Sequence, residues 1–135
     1  MTVERINPEA LFQMDAFTQV VKATGASGFA FIAGQGAFDE NFQLVGAGDL
    51  QAQTVQACRN LRAAVEAAGS SVENIVSSTV HVVDLDGEAV AAVGRGLAEA
   101  LDGKPFPPHA MSLIGTPALA MDGMLIEIVA VAAIP

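Results

Sequence analysis

The chain has 135 residues, the size of one compact domain, and 52% of them are hydrophobic, with no Trp or Tyr. Its net charge is −9, and its six basic residues (Arg5, Lys22, Arg59, Arg62, Arg95 and Lys104) are scattered, which argues against nucleic acid as a partner. No apolar run reaches bilayer length, no N-terminal stretch reads as a secretion signal, and the lone Cys58 cannot form an internal disulfide. A single cytoplasmic domain spanning 1–135, without membrane contact, is expected.

In chain order, Phe17 to Lys22 and Gly28 to Ala33 are apolar, β-rich runs flanking Thr24-Gly25-Ala26-Ser27, the pattern of a hairpin. A glycine-rich loop or irregular region follows, with room for a short extra strand at Phe42 to Val45. Leu50 to about Ala68 reads as a helix whose inner stripe is Leu50, Thr54, Cys58, Leu61, Val65 and Ala68. Gln53, Arg59, Arg62 and Glu66 fall off that stripe, Asp49 is a fitting N-cap and Gly69 a fitting stop. Cys58 lies on the stripe as a packing residue. Ile75 to Val83 is β-branched and predicts a strand.

A second helix is predicted from Gly87 to Leu101, with Val90, Val93, Leu97 and Leu101 on one face. Gly94 and Gly96 either weaken it or permit close packing. Pro105, Pro107 and Pro108 end it and force an extended approach to a strand at Ala110 to Ile114. A last strand runs from Met124 to Ala133. The set predicts an α+β layer, a sheet with both helices on one face. Its other face would carry Val, Ile, Phe and Met, and self-association is an economical cover.

Three short stretches carry the functional reading: Ala33-Gly34-Gln35, Phe106-Pro107-Pro108-His109-Ala110 and Ile126-Glu127-Ile128. In order and spacing they resemble the RidA family, also called YjgF or L-PSP, whose corresponding motifs read Ser-Gly-Gln, Phe-Pro-Ala-Arg-Ser and Ile-Glu-Ile. Asp49 to Gly69 and Ile75 to Leu85 are similar to the family's first helix and central strand, so the likeness runs from about Phe17 to Val131. It implies a chorismate-mutase-like fold, a mixed sheet with two helices on one face, and a homotrimer around a central barrel. It also implies small-molecule clefts between subunits. Active members hydrolyse enamines or imines to ketoacids and ammonia without metal or cofactor.

By this resemblance Glu127 handles water, Gly34 and Phe17 line the cleft, and Ala110 offers backbone contacts. His109 stands where the family carries an arginine. Arginine presents a permanently charged, bidentate fork to a carboxylate; histidine presents two diverging nitrogens and is mostly neutral at neutral pH. His109 is therefore read either as a cleft donor paired with Glu127 or as a solvent-facing residue of a degraded site. Glu127, in an apolar strand, must be paired, protonated or cleft-facing. His81 fits a core or interface histidine better than a site residue. No ligand spacing supports a metal site, and Gly34 and Gly36 lack the lysine of a phosphate loop. Two functions stay open: an imine or enamine hydrolase with altered substrate preference, and a non-catalytic trimer that binds a small metabolite.

Overall fold

A computed structural model describes all residues, Met1–Pro135. Six strands and two helices follow in the order β1 (Thr2–Ile6), β2 (Val20–Thr24), β3 (Gly28–Gln35), α1 (Leu50–Ala67), β4 (Ile75–Val83), α2 (Gly87–Glu99), β5 (Ala110–Thr116) and β6 (Ile126–Ile134). Four strands form a mixed sheet in the order β3-β6-β4-β5, in which only β4 and β5 run parallel. The β4–β5 crossover is α2, as a parallel connection requires.

Helix α1 begins and ends where its capping residues dictate. The Asp49 carboxylate accepts from the Ala52 N–H at 3.0 Å. Gly69, at φ +80°, closes the helix while the Ser70 N–H donates to the Val65 carbonyl. Ala57, Cys58, Leu61 and Val65 of α1 pack with Val93 and Leu97 of α2 onto Val80, Val82, Ile126 and Ile128 of the sheet. Burial pushes the Cys58 thiol up to about 12, so it stays an inert packing group.

The opposite face of the sheet has no helix. Phe29, Phe31 and Ile114 are exposed there, Phe31 at 83%, beside Val129. No helix of the structure is long and apolar enough to cross a membrane.

Three expectations need correction. The β2 and β3 runs do not form a hairpin: β2 pairs with β1 and β3 pairs with β6. Both ends of the β2 segment are tied elsewhere, since the Thr18 N–H donates to the His109 carbonyl at 2.9 Å and the Ser27 N–H to the Ile134 carbonyl at 2.9 Å. Phe42 to Val45 is not a strand; Phe42 takes φ 59° and its ring stacks on Phe38, leaving a single Phe38–Leu44 bridge. Gln53, assigned off the inner stripe, is fully buried at 0% exposure. Its amide donates to the Gly46 and Gly123 carbonyls at 3.1 and 3.0 Å, and its oxygen accepts from the Leu125 N–H at 2.9 Å.

Gln53 thus bolts α1 to the loop before it and to the turn that starts β6. Replacing it with the near-isosteric Met removes the partner of two partly shielded carbonyls and one N–H. Gln53→Met should cost about 2–4 kcal/mol in urea unfolding. A loss within a few tenths of a kcal/mol would show that these groups find water instead.

Candidate functional site

The first half of the site is built around Glu127. Strand β6 alternates Ile126 and Ile128 into the core, so Glu127 projects from the open face, directly across from His81 on β4. The β3–β6 register slips between Ile32 and Gln35, and Gly34 lies in that irregularity. A Cβ at position 34 would sit 2.5 Å from the Glu127 Cδ and 2.8 Å from its Cγ. Only glycine lets the Glu127 side chain lie over this stretch of backbone. The carboxylate is half-buried and has neither a salt bridge nor a hydrogen bond within the chain. Gly34 also borders a polar cavity of about 530 Å3 whose charged lining residues, Asp39 and Glu40, are both acidic.

The second half surrounds His109. The proline run delivers it buried, at 4% exposure. Its Nδ1 lies 2.9 Å from the Pro107 carbonyl, which can only accept, so Nδ1 carries the proton and donates. In the neutral ring Nε2 is then an acceptor, and the Ser78 hydroxyl donates to it at 2.7 Å. Phe106 packs edge-on at 6.0 Å. Arg5 donates through Nε to the Pro108 carbonyl at 2.7 Å and through Nη2 to the Glu73 carbonyl at 2.8 Å. The His109 pKa is lowered from its ordinary 6.5, first by burial, against the opposing Pro107 hydrogen bond, and further by the nearby Arg5 charge.

Phe17 lies just before Thr18, whose N–H bonds the His109 carbonyl, and with Pro108, Asn7 and Gln13 it borders a cavity of about 240 Å3. Ala110 opens β5 opposite Ser77.

The five residues therefore fall into two groups: Gly34 with Glu127, and Phe17 with His109 and Ala110. The direct His109–Glu127 acid–base pair expected from sequence does not form within one chain. Ser78, the partner of His109, shares the helix-facing side of β4 with Val80 and Val82, whereas Glu127 lies across from His81 on the other side. Nor does His109 face solvent; both ring nitrogens are occupied. Sequence reasoning missed Ser78 and Arg5. Ser78 has a signal, a polar residue at a core-facing position of a β-branched strand. Arg5 has none, because 103 residues separate it from Pro108.

The sequence pattern of the Endoribonuclease L-PSP family matches residues 8–134. The chain belongs to this L-PSP (RidA/YjgF) family. A RutC family protein of Synechocystis is 35% identical over 115 residues, covering 84% of this chain and 85% of that one. Among solved structures, the Rid-family protein YyfB from Yersinia pestis superposes with a TM-score of 0.87 at 34% identity, covering 99% and 100% of the two chains. RidA from an Antarctic Psychrobacter gives 0.65 at 28% identity, covering 90% and 97%. The two helices on a mixed sheet are thus the L-PSP fold, and His109 within it is a neutral, fully engaged histidine.

That histidine sets a pH dependence of stability. Its folded pKa lies below the unfolded value of 6.5. Its contribution is therefore complete above that value and is lost as pH falls through the folded pKa, because the unfolded chain takes up the proton first. Urea unfolding at about pH 7.5 and about pH 5.5 should show a loss at the lower pH, and His109→Gln should reduce that loss. Equal pH sensitivity in both proteins would assign the effect to other groups.

Proposed function

We propose that the protein is a cofactor-free homotrimer that binds a small metabolite between subunits and hydrolyses imines or enamines with an altered substrate preference. The observation that carries this is Glu127: an unpartnered carboxylate in an apolar strand, held over Gly34 on a face with no helix to cover it. Water solvates this carboxylate in the single chain, while the apolar surface around it is of the kind that a second chain or a ligand covers. The separation of Glu127 from Phe17 and Ala110 supports a cleft completed by a neighbouring copy, with Glu127 and Gly34 from one and Phe17 and Ala110 from the next. There Glu127 takes a proton from water as its oxygen attacks the imine carbon, and the C=N electron pair moves to nitrogen. Glu127 returns that proton to the nitrogen and then carries the adduct's hydroxyl proton to it as the C–N bond breaks, forming the carbonyl and releasing ammonia.

His109 does not replace the missing cation, being neutral and bonded at both nitrogens. Losing a charged hydrogen bond of roughly 1.5–3 kcal/mol lowers efficiency on carboxylate-bearing imines about ten- to a hundredfold relative to arginine-bearing relatives. The same observation favours a second reading, a trimer that binds a metabolite without turnover.

Light scattering of the dilute protein should give three times the 13.8 kDa chain mass. Phe31→Glu, which puts a charge on the open face, should dissociate it. A natural chain that stays monomeric would remove the interface cleft.

Turnover separates the two readings. With 2-iminopropionate generated in situ, Glu127→Gln should lower kcat by about a hundredfold and leave KM nearly unchanged, because the carboxylate acts in the transition state. Full activity in Glu127→Gln would take Glu127 out of the chemistry, and no turnover by the natural chain on any imine would leave the binding reading.

A further inference from the structure

A third cavity, of about 330 Å3, lies on the helix side of the sheet, away from Glu127. Met14 and Phe17 close it from the loop before β2, Val90 and Leu97 line it from α2, and Met111 and Leu113 line it from β5. All but one of its nine lining residues are hydrophobic, the exception being Gly94, and none is charged. Its volume is within the range of small-molecule sites.

Gly94 is the informative residue. It sits in the interior of α2, where glycine costs roughly 1 kcal/mol relative to alanine. Backbone geometry does not demand it, since its φ is not positive. Packing does not demand it either: a Cβ built at Gly94 meets nothing within 4 Å. Gly96, two residues on, is different, because its Cβ would come within 2.6 Å of the Thr54 Cβ on α1. Gly96 is explained by the contact between the helices. Gly28 and Gly87 likewise face open space without a positive φ, but Gly94 alone of the three borders cavities, this one and an adjoining one of about 210 Å3.

We propose that this cavity binds a small, uncharged aromatic molecule, and that Gly94 keeps it open. A carboxylate would be stripped of water there with no donor or cation to meet it, which is costly. Met14, Met111 and Phe17 instead suit a ring, through sulfur–aromatic and aromatic–aromatic contacts. Val90 turns toward the cavity rather than the core and is 43% exposed, the kind of apolar surface a ligand would cover. The cavity shares Phe17 with the cleft proposed above, and binding is read here without turnover, so the two ideas fail separately.

The test uses benzyl alcohol as probe and benzoate as its charged counterpart of similar shape. The five methionines are built-in reporters: Met14 and Met111 line the cavity, and Met1, Met121 and Met124 lie outside it. In methyl NMR of the natural protein, benzyl alcohol should shift Met14 and Met111 saturably and leave the other three in place. Benzoate should bind at least about tenfold more weakly, the loss expected for an unpaired buried charge. Gly94→Leu should raise the melting temperature and weaken benzyl alcohol binding by about tenfold or more, since it fills the cavity and removes the helix-interior glycine. Should Gly94→Leu not fold, Gly94→Ala should show both effects in smaller degree. Equal binding of the two probes, unchanged affinity in the folded Gly94 variant, or no response of Met14 and Met111 would each overturn the proposal.

Discussion

The constraint that organises this molecule is the alternation of side chains across the β3-β6-β4-β5 sheet. Both helices pack on one side, so every second residue of β4 and β6 enters the core and its neighbour is left on a face with no helix. Ile126 and Ile128 are buried while Glu127 between them is not; Val80 and Val82 are buried while His81 between them faces the open side. Slipping β6 by one residue would turn the Glu127 carboxylate toward Cys58, Leu61 and Val65 with no partner, and slipping β4 would do the same to His81, each at a large cost against the marginal stability of a small domain. The pairing register is therefore fixed by the same residues that form the candidate site.

That alternation also explains how much could be read from sequence. The helix α1 was legible to its caps, because Asp49 and Gly69 act locally and their geometry depends on residues at most a few positions away. The strands β4, β5 and β6 were legible from β-branched content. The hairpin reading at Phe17 to Ala33 failed because a turn signal says only that the chain bends, and not which strand it pairs with afterwards. Strand β1 was invisible: five residues that alternate weakly and pair only with β2 leave no periodic signature. Gln53 shows the limit of helical periodicity, since a wheel records polarity, and a buried glutamine is a polar residue satisfied by distant carbonyls.

The site was legible in its parts and not in its arrangement. Gly34 and Glu127 were placed together through their motifs, and their contact gives that placement a steric reason. His109 was read as a free side chain because its partner, Ser78, lies 31 residues away on another strand. His109 is more than an uncharged side chain at this position. Ser78 Oγ, His109 Nε2, His109 Nδ1 and the Pro107 carbonyl form a directional chain in which each donor meets one acceptor. The Ser78 oxygen can also accept, so a guanidinium placed here would reverse that direction and bury a charge, which the neutral ring avoids. The histidine stays in and stiffens the approach to β5.

The remaining question for any ligand is its charge, and the placement of the cations bears on it. Arg5 bonds two carbonyls and Glu73, Lys22 pairs with Glu4, Arg59 and Arg62 with Asp102, and Arg95 donates to Gln51. None of them borders the cavity at Gly34, whose charged neighbours are Asp39 and Glu40, or the one at Phe17, whose charged neighbour is Asp15. Surface pairs of this kind contribute little to stability, but they leave the clefts with a negative field in a chain that already carries −9. An anionic ligand entering beside Glu127 would meet repulsion from that field. A neutral ligand would meet no such penalty, so the field of the chain itself discriminates by charge.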